Sequence, residues 1–212
     1  MTRASTEGGW VAPALRQEFP GLALRYLAVE GSFGRSPREL RNRLAQLSNR
    51  FSGPQAINLR QQQIPWAYRV FFRHIGLDPD EQPTPVEALA LERMKRGGFP
   101  SRSRLNDALT IAVIESGVAL RAFDADRLAG TPGIRVTEPG EGLEGRPGEL
   151  PAGTLVIADT ERPVGLLFGA TADGRGVRTR TQRATICAIQ VNGVSDLAAE
   201  EAVWLAAEGL RD

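Results

Sequence analysis

The chain has 212 residues, 42% of them hydrophobic and 24% charged, with 14 prolines. That length fits one domain of ordinary size or one domain with an extension, and the balance excludes disordered and fibrous classes. Net charge is +1, yet residues 1–104 carry a balance of +7 and residues 105–212 one of −6. Of the 26 basic residues only Lys95 is lysine, so nearly every cation is a planar guanidinium suited to phosphate or carboxylate, although arginine-rich coding alone explains the same bias. The apolar run Ala108–Ile114 falls far short of the roughly 20 residues that span a membrane, and MTRASTEGG lacks the apolar stretch of a signal peptide. A cytoplasmic protein with no membrane contact is expected. The single Cys187 excludes an internal disulfide and a cysteine-based zinc site.

In chain order, Trp10–Phe19 allows one or two helical turns, and Leu22–Glu30 has the alternation of a strand. Ser36-Pro37-Arg38-Glu39 reads as a capping box opening a helix with Leu40, Leu44 and Leu47 on one face, closed by a loop at Gly53-Pro54. Ile64-Pro65-Trp66 opens a second helix with Trp66, Val70, Phe71 and Ile75 at apolar spacing and a basic opposite face. Thr84-Pro85 with Glu87 starts a third, running through Ala88, Leu89, Leu91 and Met94 to Gly97-Gly98. Asp107–Gly117 is apolar nearly all round, the pattern of a buried helix.

The period then changes. Leu120–Phe123, Ile134–Thr137, Thr154–Ala158, Val164–Phe168 and Ala184–Val191 are short apolar or β-branched runs separated by turn residues, and Ser195–Leu210 closes the chain as an amphipathic helix with Leu197, Val203, Trp204 and Leu205 available for burial. Glu138–Gly153 is a surface loop. Residues 1–60 form a helix and strand segment packed on a core of residues 61–212, the whole making one structural domain.

Several chemistries lack their residues. The one histidine, His74, sits on an amphipathic helix and reads as structural rather than catalytic. There is no second histidine or cysteine pair for a metal, no GxGxxG after a strand and no P-loop. No metal or cofactor is expected.

From Ile64 to Val191 the motifs IPWAYRVFFRHIGLDP, TPVEALALERMKRGGFPS, LNDALTIAVIESGVALRAFDADRLAG, IRVTEPGEGLEG and LVIADTERPVGLLFG, with Thr181 before the last strand, follow one another in order. In that order they resemble the editing domain of the phenylalanyl-tRNA synthetase beta subunit and the small free-standing proteins built from it. The resemblance implies an α+β fold with helices packed on a β-sandwich-like core, and a cleft that in the synthetases hydrolyses tyrosine wrongly attached to phenylalanine tRNA.

Carried across residue by residue, the family's Thr-Asn pair falls on Leu109 and Thr110, its histidine before Ala-Phe-Asp on Arg121, its phenol-reading glutamate on Cys187, and its wall glycines on Gly165 and Gly169. Without that glutamate, tyrosine loses its acceptor, and Cys187 offers a small wall suited to an apolar side chain or simply a core residue. Arg121 cannot be a general base but could hold a phosphate or an oxyanion, or else pair with Asp124 or Asp107. Thr110 and Arg121 are the candidate catalytic residues, and Leu109, Thr110, Arg121, Gly165, Gly169 and Cys187 the candidate substrate pocket. RNA contact would use Arg93, Lys95, Arg96, Arg102 and Arg104, and Arg175, Arg178, Arg180 and Arg183, with 178 and 180 on one side if that segment is extended. The expected function is binding of aminoacyl-tRNA with hydrolysis of a mischarged ester in trans. The alternative is a non-catalytic RNA- or small-ligand-binding module.

Overall fold

A computed structural model describes residues 5–51 and 53–211; the first four residues of the segment read as 1–60, Ser52 within it, and residue 212 lie outside that range. Two four-stranded sheets are present. In the first, β3 (Ala23–Glu30) and β4 (Ala119–Asp124) flank β8 (Arg183–Gln190), both antiparallel to it, and β1 (Glu7–Gly8) adds to the far side of β3. In the second, β6 (Leu155–Ala158) lies between β5 (Gly133–Val136) and β7 (Pro163–Leu166), and β2 (Trp10–Val11) runs parallel to β5. The fold is α+β, with helices packed on two sheets.

The five apolar or β-branched runs of the second half are β4 to β8, each within a residue or two of its expected bounds. Strand β8 is buried from Ala184 onward on both faces, which accounts for its unbroken Ala/Ile/Cys/Val character in place of alternation. One face meets the second sheet. The other is covered by α7 (Asp196–Glu208), and α6 (Arg104–Ser116) packs beside it on β4 and against α7 itself. The α7 side toward β8 uses Ala199, Ala202, Val203 and Ala206, all fully buried, so that the helix axis can come close to the sheet. Leu197 stays exposed on the opposite side. Ser195 caps α7 through Ala198 N–H at 3.1 Å, as the sequence indicates.

Helix α6 starts three residues earlier than expected, because Ser103 accepts from Asn106 N–H and caps it. Gly117, with φ 74°, ends it in the left-handed conformation. Asp107 is buried and accepts from the hydroxyls of Ser36 and Ser101, each at 2.5 Å, and from Arg102 N–H at 2.9 Å. That arrangement takes Ser36 away from the capping role: α2 (Arg38–Arg50) begins behind Pro37 without a side-chain cap, and its buried face is Leu40, Leu44 and Leu47 as expected.

Three other expectations are corrected. Gly53-Pro54 is no loop but opens the short α3 (Gly53–Leu59). Trp10 and Val11 are extended in β2, so the first helix, α1, is confined to Pro13–Glu18. The buried faces of the next two helices are rotated from their expected positions. On α4 (Gln63–His74), Trp66 is exposed while Ala67, Tyr68, Phe71 and Phe72 are buried. On α5 (Pro85–Arg96), Val86, Glu87 and Ala90 are buried while Leu91 and Met94 are exposed beside Ile57 of α3. The cause is a polar core between these helices. Buried Arg69 donates to Glu87 at 2.7 Å and to Asp80 at 2.7 Å, and Glu87 also accepts from the N–H and hydroxyl of Thr84, completing the capping box that the sequence predicts. A charged pair at the contact turns both helices toward it, where an apolar count would place leucine and methionine.

Among the described residues no helix is long and apolar enough to cross a membrane, and no group of three or more histidine, cysteine, aspartate or glutamate side chains is placed to hold a metal ion.

Candidate functional site

The candidate residues fall into two places on either side of β4. Directly opposed residues on antiparallel strands share a face, and in the first sheet Tyr26, Cys187 and Arg121 are aligned across β3, β8 and β4. That face looks toward the second sheet. The Arg121 guanidinium donates to the carbonyl of Leu166 at 3.1 Å, to the carbonyl of Gly169 and to the Thr171 hydroxyl at 2.8 Å, and lies 5.7 Å from the Phe123 ring centroid. Space at Gly165 is tight there: a Cβ at that position would come to 3.0 Å from the Ala170 carbonyl oxygen and 3.1 Å from the arginine's terminal nitrogen, so its neighbours would have to give by a few tenths of an ångström. Arg121 is thus a strut between the sheets.

Neither expected carboxylate partners it. Asp124 instead accepts from Thr181 at 2.6 Å, which connects the AFD turn to the threonine before β8, and Asp107 has its three donors described above. Burial lowers the Arg121 pKa to about 10, still far above neutrality, so the group remains a cation among neutral acceptors. Cys187 is sealed from solvent, and burial pushes its thiol up to about 12. It lines none of the cavities described.

Leu109 and Thr110 are elsewhere. Both line a cavity of about 250 Å³ between α5, α6 and β4, where Leu120, the neighbour of Arg121 along the strand, forms part of the wall. Adjacent strand residues point to opposite faces, so Leu120 turns to the helices and Arg121 to the second sheet. Pro85, Leu89, Phe99, Pro100 and Val113 make the rest of the apolar lining, while Glu92, Arg102, Asn106 and Thr110 supply polar groups. Asn106 and Thr110 are four residues apart on α6 and therefore share a side. Glu92 and Asn106 escape sequence reasoning, because the resemblance assigns nothing to them; the i, i+4 spacing of Asn106 from Thr110 is the signal that could have found the second.

The two arginine clusters separate into engaged and free cations. Arg93 turns in to the Ser48 carbonyl at 3.0 Å, and Arg104 is buried against the carbonyls of Gly209 and Arg211. Arg96 and Arg102 remain at the surface, both paired with Glu92. Lys95 is exposed on the same helix end. In the second cluster Arg175 is held by Glu144 and the Arg127 carbonyl, and Arg183 by Asp126 at 3.3 Å. Arg178 and Arg180 are exposed and carry no ion pair among the described residues. They do not form an extended row, since Thr181 N–H bonds the Arg178 carbonyl and closes a turn. His74, on the exposed side of α4, lines a different cavity with Glu18, Phe19 and Asn192.

Two sheets with helices packed on them, and a cavity beside α6 that Arg102 lines, make up an α+β fold with one polar-edged apolar pocket between α5, α6 and β4. Its family follows from comparison with known proteins: the B3/4 domain matches residues 67–199, and the chain belongs to that family. The phenylalanine-tRNA ligase beta subunit of Yersinia pestis is 34% identical over 94 residues, 42% of this chain and 12% of that protein. That of Xylella fastidiosa strain Temecula1 is 36% identical over 94 residues, 43% of this chain and 12% of that protein, and that of Gloeobacter violaceus 38% over 95 residues, 42% and 12%. The chain therefore spans about an eighth of the length of these ligase subunits, the part resembling their B3/4 region.

Proposed function

We propose that this chain binds the aminoacylated end of a tRNA, with the amino acid in the cavity beside Thr110, and clears a mischarged ester in trans. The observation that supports this reading is the cavity itself, which brings Thr110 together with an apolar lining and with Arg102, next to the exposed Lys95 and Arg96. An apolar pocket takes a side chain, and guanidinium groups at its mouth take the phosphates that follow the ester. Water for hydrolysis would be oriented by the Thr110 hydroxyl, backbone groups and the ribose hydroxyls of the substrate, since no histidine lines this cavity.

One observation favours a second reading, a binding module without turnover. Arg121, the residue that replaces the family histidine, commits three of its N–H donors to internal acceptors in the second sheet and the loop after it.

Deacylation of a panel of mischarged tRNAs by the purified chain, with Thr110→Val and Arg102→Gln alongside, tests both. Turnover of one ester that Thr110→Val slows at least tenfold supports the hydrolase. Salt-sensitive tRNA binding without turnover supports the binding module, and absence of both sinks the reading.

A further inference from the structure

The strongest unassigned feature is the single carboxylate of the cavity. Glu92 lies one turn beyond Leu89 on α5 and lines the cavity with it. Both of its cationic partners, Arg96 at 3.0 Å and Arg102, bind the same oxygen, Oε1. The hydrogen bond on this carboxylate falls on Oε1, and none from a described residue falls on Oε2. A side chain 26% exposed, fixed at one oxygen by two guanidinium groups and free at the other, is a pre-set acceptor for a further donor.

We infer that Glu92 receives the α-ammonium group of an aminoacyl ester, so that the cavity selects unblocked aminoacyl groups with apolar side chains. This rests on the proposed function and names the chemistry it recognises. In an aminoacyl ester the carboxylate of the amino acid is consumed, and the ammonium is the one formal charge left beside the side chain. It needs an anionic acceptor. The phosphates of the RNA need cations. The cavity lining carries both, the carboxylate of Glu92 and the guanidinium of Arg102, in direct contact with each other, and Arg96 reaches the same carboxylate from outside the lining. The remaining lining supplies Asn106 and Thr110 for the ester and ribose oxygens, and Leu89, Phe99, Leu109, Val113 and Leu120 for the side chain. No second carboxylate and no histidine lines this cavity to accept from a phenol. With about 250 Å³ it is below the range of typical drug-sized pockets and suited to one amino acid.

The test uses the full chain and stable amide analogues of the charged end. The probes are 3′-deoxy-3′-(L-leucylamino)adenosine 5′-monophosphate, its N-acetyl derivative and the L-tyrosyl counterpart, with Kd measured by calorimetry for the native chain and for Glu92→Gln. The native chain is expected to bind the free amine at least tenfold more tightly than the acetylated form, and leucyl more tightly than tyrosyl. Glu92→Gln should bring the amine-to-acetyl ratio within about twofold, with the Kd of the acetylated probe unchanged, and because the ratio is taken on one preparation it is insensitive to the folded fraction. A native chain indifferent to acetylation, or a preference that survives in Glu92→Gln, overturns the role of Glu92 while leaving the binding of charged ends intact. Tighter binding of the tyrosyl probe overturns the side-chain selectivity. Failure of all three probes to bind overturns both this inference and the function on which it rests.

Discussion

Arg121 and Cys187 stand directly opposite each other on β4 and β8, a half-buried cation beside a thiol sealed from solvent. Burial acts on them in opposite senses, lowering the pKa of the first to about 10 and raising that of the second from 9.0 to about 12. Below pH 9 the thiol is protonated in both folded and unfolded chains. Between pH 9 and 12 the unfolded chain gives up that proton while the folded chain keeps it, so stability falls as pH rises. Arg121 has the opposite influence, but only above pH 10. From pH 9 to 10, therefore, the native chain should lose up to about 1.4 kcal/mol per pH unit that Cys187→Ala does not lose. Urea denaturation at stepped pH reads the difference; equal slopes in the two chains would show the thiol to be free of this burial.

Replacing Arg121 tests its role as a strut. Arg121→Met leaves the carbonyls of Leu166 and Gly169 without these donors and should destabilise the fold by about 2 kcal/mol, seen as a lower urea midpoint. If the stability is unchanged and only ligand binding is lost, the guanidinium serves the ligand and not the sheets.

The Arg69–Glu87 pair carries a larger expected effect. Arg69→Met removes one partner of a buried charge that Arg60 at 3.1 Å and the Thr84 donors only partly satisfy, and should cost about 3–5 kcal/mol. Joint replacement by Arg69→Met and Glu87→Met should recover most of it, as a double-mutant cycle in thermal unfolding would show.

RNA contact by the cavity mouth has a salt signature. For each phosphate released from Lys95, Arg96 or Arg102 by substitution with glutamine, the slope of log K against log salt for tRNA should shrink by about 0.7–0.9. Arg104→Gln should leave the slope intact and lower stability instead, because that guanidinium is buried against the end of α7. A slope that falls with Arg104 and not with Arg102 would relocate the contact.

The strands of the second half were legible because each apolar or β-branched run is bounded by glycine, proline or aspartate, and the capping box of α5, the apolar run of α6 and the amphipathic run of α7 placed these helices to within a few residues. The orientation of α4 and α5 was not, since their contact is set by Arg69 and Glu87, residues that an apolar count assigns to solvent. The same limit governed Arg121. A sequence shows a cation where a histidine is expected, but not that backbone carbonyls 45 and 48 residues later turn inward to meet it. The candidate pocket was read as one place because motif order carries no information about strand faces. Alternation along β4 puts Leu120 and Arg121 on different sides, and the candidate residues divide accordingly.

The middle position of β8 has a consequence for how the chain reaches this structure. Its two partners precede it by long stretches, with Ala23 paired to Gln190 and Asp124 to Ala184. During synthesis both must wait, the edges that face β8 unmatched, until residues 183–190 have emerged. Closure is therefore a late, non-local event of high contact order, slow by nature and exposed to aggregation. A ribosome stalled before residue 183 would hold helices already able to form beside two strand edges with nothing between them.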